Sequence, residues 1–154
     1  MLRFQLAVVE LRRAVRASNR VLADLQRRVD HVRVAARRAT TASTELLATI
    51  EQLDRDLLAL RTALSGDASL TGREKPAPMS ITERIENVAG AQLYTTSAPT
   101  RTERDAYEHA ADAFEPVLAR LRAIATEELP AVERALEAAG AADTPGRLPD
   151  WRRR

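Results

Sequence analysis

The sequence predicts an all-α fold, an antiparallel four-helix bundle with long helices. Three observations carry this expectation. Ala, Leu, Arg and Glu, the strongest helix formers, dominate the chain, while Gly (5) and Pro (7) are sparse and clustered. Apolar residues recur at steps of four and three. No stretch shows the alternation of Val, Ile, Thr and aromatics that marks a strand. At 154 residues the chain has the length of one ordinary domain. Aromatics make up only 3% of it, so aliphatic side chains must fill the core.

The first helix is predicted over about 2–39. Its seam reads Phe4, Val8, Leu11, Val15, Ser18, Leu22, Leu25, Val29, Val32 and Ala36, with Arg12, Arg13, Arg16, Arg20, Arg27, Arg28 and Arg33 off it. No Ser, Thr, Asp or Asn precedes the first apolar residue to cap the free N–H groups, so the start reads as cut from something longer. The register continues through Ala39, Ser43, Leu46, Ile50, Leu53, Leu57, Leu60 and Leu64. Two architectures therefore compete. Residues 2–65 could form one helix of about 95 Å at ~1.5 Å per residue, an extended coiled coil. Alternatively the chain turns within 37–44, where the seam is weakest and Thr40 and Thr41 lower helix propensity, and a second helix spans 43–65.

Gly66 to Met79 is the clearest break, with Gly72, Pro76 and Pro78 inside it. Ser80-Ile81-Thr82-Glu83 then forms a capping box opening a helix over 80–94, whose face is Ile81, Ile85 and Val88. Gly90 suggests close packing against a neighbour. Thr100-Arg101-Thr102-Glu103 is a second capping box, opening the last helix over 100–139. Its inward residues are expected at Tyr107, Ala111, Phe114, Leu118, Leu121, Ala125, Leu129, Val132 and Leu136. Pro116 and Pro130 predict bends in it. Gly140 suits a C′ position, and 144–154 forms a Pro/Gly tail ending in Trp151 and three arginines. Trp151 is expected to pack back onto the bundle. The bundle itself is placed over 1–143.

Charge narrows the function classes. The 24 Lys+Arg nearly balance 22 Asp+Glu for a net +2, and Lys75 is the only lysine. Acids and arginines interleave, which argues against both a nucleic-acid stripe and an amphipathic lipid-surface helix. Cysteine is absent, excluding disulfides and thiol chemistry. The apolar start is interrupted by Arg12 and Arg13 well short of a membrane span and carries no signal-peptide cleavage pattern.

No active-site constellation emerges, and no catalytic, cofactor-binding or metal residue is expected. His109 has Asp105 and Asp112 a turn away on either side, but a metal site needs at least three convergent ligands. His31 reads as a boundary residue beside Val32. Asp54/Asp56 and Glu127/Glu128 are adjacent acids on helices and read as solvated charges, not as carboxyls facing across a cleft. The Glu-x-x-His pairs of di-iron bundles are missing at both histidines.

A resemblance adds to this reading. Leu64-Ser65-Gly66-Asp67-Ala68, Ser80 to Ile85, Thr96 to Thr100 and Thr144 to Trp151 resemble the extreme C-terminal region of large bacterial BNR-repeat, sortilin-like β-propeller proteins. Those proteins are often labelled glycosyl hydrolases or exo-sialidase-like. The likeness runs from about Leu6 to Trp151 and is most specific from Ser80 onward. It implies a helical tail that follows the propellers, with a propeller of the same parent chain, or another protein, as its partner and an extracytoplasmic location. It also implies a loop between the first helices, favouring a turn at 37–44. No propeller carboxylate is present here, so the resemblance brings no catalytic residue. The expected function is a non-catalytic interaction or scaffolding domain; a free-standing, self-associating coiled coil is the alternative.

Overall fold

The computed structural model describes residues 2–39, 41–67, 78–93, 97–141 and 153. Of these, 87% are helical, in four helices with no strand, so the chain is an all-α helical bundle. Helix α1 spans Leu2–Arg38, α2 Thr44–Ser65 and α3 Ile81–Leu93. Helix α4 starts as Arg101–Ala123, passes through a π-helical turn at Ile124–Glu128 and continues as Leu129–Ala138.

The turn between α1 and α2 is real. Ala39 and Thr41 to Ser43 lie outside helix, so the single long helix of the coiled-coil alternative does not form. Ser43, read as a seam residue, is instead the N-cap of α2: its hydroxyl accepts from the Leu46 N–H at 3.1 Å. The Thr41 hydroxyl donates to the Ala139 carbonyl at the end of α4.

Both expected capping boxes form. Glu83 N–H donates to Ser80 Oγ at 3.2 Å while Ser80 N–H donates to Glu83 Oε2 at 2.8 Å. Thr100 and Glu103 repeat the exchange at 3.2 and 2.7 Å. At the other ends, Gly66 (φ 82°) and Gly140 (φ 69°) adopt the left-handed conformation that terminates a helix. After α4, Ala141 N–H reaches back to Leu136 C=O at 3.0 Å, the bond of a Schellman motif.

The chain divides into two compact units. The first comprises Met1–Leu22 and Leu58–Leu121, the second Ala23–Leu57 and Arg122–Arg154. In the first, Val8, Val15, Leu22, Leu60, Leu64, Ile81, Ile85, Val88, Phe114, Val117 and Leu121 are buried. Phe4 meets Tyr107 edge to face at 5.6 Å. In the second, Leu25, Val29, Val32, Ala36, Ile50, Leu53, Leu57, Ile124, Leu129, Val132 and Leu136 are buried. Within it α1 and α2 run antiparallel: Arg33 meets both Glu51 and Asp54, so residues 21 apart or less in sequence face each other across the turn.

The inward face of α4 departs from the expected one. Ala110, Phe114, Val117, Leu121 and Ile124 are buried, whereas Ala111, Leu118 and Ala125 are only partly covered. The buried series then steps by five, from Ile124 to Leu129, before resuming at Val132 and Leu136. The π turn explains the step. Leu129 N–H bonds back to Ile124 C=O, five residues away, which inserts one residue and rotates the following helix face. Pro130 explains the π turn: it has no N–H to give, and its ring would clash with the carbonyl four residues back. Pro116, by contrast, is exposed and lies within an uninterrupted α-helical stretch.

Gly90 does not mark close packing, since a Cβ built there would meet nothing within 4 Å. Most of the 66–79 connection, Leu93's side chain and the tail with Trp151 fall outside the described residues.

Candidate functional site

The histidines and acid pairs do not converge. His31 is exposed, not at a boundary, and its Nδ1 lies 2.7 Å from the Arg27 carbonyl. His109 is exposed too; its Nδ1 lies 2.6 Å from the backbone carbonyl of Asp105, not from that residue's carboxylate. That carboxylate faces Arg101 at 3.7 Å. Among the described residues, no group of three or more His, Asp or Glu side chains is arranged to hold a metal ion. Also among them, no helix is long and apolar enough to cross a membrane.

Asp54 is not simply a solvated charge. Its carboxylate stands 2.7 Å from Arg33 of α1, with Asp30 at 3.0 Å and Glu51 at 3.7 Å from the same guanidinium. Asp54 is the nearest of the three acids to this guanidinium and the one that most favours its charged form. Burial opposes the charge on Arg33, but Asp54, Asp30 and Glu51 outweigh it and raise the guanidinium's pKa. A second pair is more enclosed. Arg28 donates to both oxygens of Glu133, with Nη2 at 2.8 and 2.9 Å, and Glu133 is buried in the middle of α4's last stretch. Both pairs belong to the second unit.

In the first unit, Glu86 of α3 receives Arg12 at 2.8 Å and Arg16 at 2.8 Å from α1. The hydrogen bonds from Arg12 are the main cause of a lowered Glu86 pKa, and Glu86 in turn raises that of Arg12. Asn19 extends the line of contacts. Its amide donates to Thr82 Oγ1 at 3.1 Å and its carbonyl accepts from the Ser65 hydroxyl at 2.9 Å, tying α1 to α3 and α2.

Beside this line lies a groove of about 210 Å³ between α1 and α3, lined by Gln5, Val8, Val9, Arg12, Ala89 and Gln92. It is mostly apolar. Gln92 is only 7% exposed, and neither polar atom of its amide has a directed hydrogen-bond partner. Glu103, whose carboxylate is committed first to the N–H and hydroxyl of Thr100, is the acid that feels this amide; its pKa is lowered chiefly by Thr100.

Next to the groove, Leu2, Leu6 and Val9 are 70%, 53% and 58% exposed. Their spacing of four and three places them along one face of α1.

The residues expected to act by packing, Leu22, Leu25, Leu53, Leu57, Ile85, Phe114, Leu121 and Leu136, are all buried. Sequence reasoning missed the cross-helix ion pairs and the groove. Arg12, Arg28 and Arg33 each adjoin a seam residue (Leu11, Val29, Val32), the flanking position from which long cationic side chains reach a neighbouring helix. That signal identifies the donors but not the acids that receive them. No family model, curated protein or solved structure matches this chain.

Proposed function

We propose that this chain is a non-catalytic helical interaction or scaffolding domain, the C-terminal appendage of a sortilin-like BNR-repeat β-propeller protein of the glycosyl-hydrolase-labelled type. The observation that supports an interaction domain is the exposed row of Leu2, Leu6 and Val9 on α1. Large aliphatic side chains aligned on one face, rather than scattered singly, are the usual mark of a surface that meets another protein. The parentage rests on the sequence resemblance, most specific from Ser80 onward.

The coding sequence ahead of Met1 tests the parentage. In-frame propeller repeats are the expected finding; an independent start codon with its own ribosome-binding site would sink it. Activity tests the other half. The purified chain is expected to leave sialosides and glycosides intact, and hydrolysis abolished by a point mutation in this chain would contradict the reading.

The same exposed row favours a second reading, a self-associating protein. Sedimentation velocity across a wide concentration range separates the two. A mass that rises with concentration and returns to monomer in Leu6→Glu would support self-association.

A further inference from the structure

We propose that this chain docks onto a second copy of itself, the arginine row of α1 in one copy lying antiparallel against an acidic row of α4 in the other. Arg13, Arg16 and Arg20 are exposed and step by three and four, so they share one face of α1 and continue the line of Leu2, Leu6 and Val9. Glu108, Asp112 and Glu115 are exposed on α4 and step by four and three. Both rows belong to the first unit.

Read in opposite directions, the two spacings are the same. One antiparallel register therefore brings Arg13 to Glu115, Arg16 to Asp112 and Arg20 to Glu108. A parallel alignment would put the middle pair out of step. The antiparallel register also sets Val9, 58% exposed, against Ala119, which is exposed on the same face of α4 as the acids. A second copy is the occupant because the row that matches the arginines lies on the chain itself.

Neither row is neutralised within its own copy. Among the described residues, no ion pair or side-chain hydrogen bond engages Arg13, Arg20, Glu108, Asp112 or Glu115. Arg16 gives its Nε to Glu86, yet its side chain is still 54% exposed. Like charges three and four apart on one helix repel, and an opposite row relieves that repulsion. Arg104 bounds the acidic row at one end and Ala119 at the other, so its length equals that of the arginine row. Pairs this open to solvent each contribute little, so the contact is weak and sensitive to salt. The inference rests on the self-associating reading above, specifies which faces meet, and is independent of the parentage.

Sedimentation equilibrium of the full chain, up to about 1 mM protein and at about 20 and 300 mM salt, tests it. A dimer dissociation constant of about 0.1 mM is expected at low salt, weakening at least about tenfold at high salt. Two variants each reverse one row: Arg13→Glu with Arg20→Glu, and Glu108→Arg with Glu115→Arg. All four positions are exposed, and a helical circular-dichroism spectrum checks that both variants fold. Each variant alone should dimerise at least about tenfold more weakly, since its rows now repel. An equimolar mixture should recover the original affinity within about threefold, because each reversed row then meets its opposite. A loss caused by misfolding would not be recovered on mixing. A chain that stays monomeric throughout would overturn the proposal together with the self-associating reading. A dimer that withstands both reversals, or one that the variants lose and the mixture does not regain, would overturn the proposal while leaving self-association standing.

Discussion

The two units of this molecule are built from the same three long helices yet are held together differently. The second unit has a nearly pure aliphatic interior: Leu25, Ile50, Leu53, Leu57, Ile124, Leu129 and Leu136 are among its fully buried large side chains. Among its described residues, the one buried charged residue, Glu133, is grasped through both oxygens by Arg28. The first unit, with α3 in addition, buries smaller and more polar groups, among them Ser18, Ser80, Ala89, Ala110 and Gln92. It carries the capping boxes, the groove and the exposed aliphatic row. The contrast separates two tasks. Dense, paired interiors supply stability, and the proposed interaction surface sits where packing is incomplete.

Core truncation should give the largest effect. Leu57→Ala, at a fully buried position in the second unit, is expected to destabilise the chain by about 2–5 kcal/mol in chemical denaturation. Gln92→Leu, in the interior of the first, should cost little, since neither polar atom of its amide makes a well-directed hydrogen bond. A loss above about 2 kcal/mol in Gln92→Leu would mean that its amide is paired after all and would erase the contrast.

The ion pairs should follow the same ranking. Glu133→Ala strands the Arg28 guanidinium in a partly enclosed setting and is expected to cost about 1–3 kcal/mol. Glu86→Ala should cost at most about 1 kcal/mol, because the Glu86 side chain is itself 31% exposed against 10% for Glu133. Equal losses measured by denaturation would show that enclosure does not distinguish the two units.

Removing a helix cap should have a smaller effect. Ser80→Ala and Thr100→Ala are each expected to cost about 1 kcal/mol. Hydrogen exchange should place the change in the first turns of α3 and α4, leaving the second unit's protection intact.

Acid should act on the first unit by a related route. Glu83 is held below the usual carboxylate range first by the Ser80 N–H, Glu86 by the Arg12 hydrogen bonds and Glu103 by the Thr100 N–H. A carboxylate with a lowered native pKa contributes stability that is complete above its unfolded value, about 4.3 for Glu, and is lost as pH falls through the native one. Exchange protection in α3 and the start of α4 is therefore expected to decline below about pH 4. A decline beginning near neutrality would assign the effect to other groups.

Much of this arrangement was legible before any coordinates. The helix boundaries fell within a residue or so of those observed, because Ser80, Thr100, Gly66 and Gly140 are local signals whose chemistry acts within one turn. The break at 39–43 was harder to read. Its N-cap, Ser43, occupies a position that also continues the seam of α1, so one residue fitted both architectures. The face of α4 was read correctly at Phe114 and Leu121 but misread at Ala111, Leu118 and Ala125, because a regular period cannot anticipate the extra residue of a π turn, even though Pro130, which requires an adjustment there, was in plain view. The groove was illegible for a different reason. It depends on which residue of α1 stands opposite Gln92, and a long-range pairing of that kind leaves no trace in local spacing.

The turn between α1 and α2 is the feature on which the bundle depends, because it lets two halves of one apolar seam bury each other. Spin labels at Gln26 and Asp56, both within the second unit and both off its buried seam, measure it directly by pulsed electron resonance. Folded back through the Arg33–Asp54 contact, the labels should lie less than half as far apart as along a straight helix, where thirty residues span about 45 Å at ~1.5 Å each. A separation near ~45 Å in the monomer would contradict the bundle and restore the single extended helix.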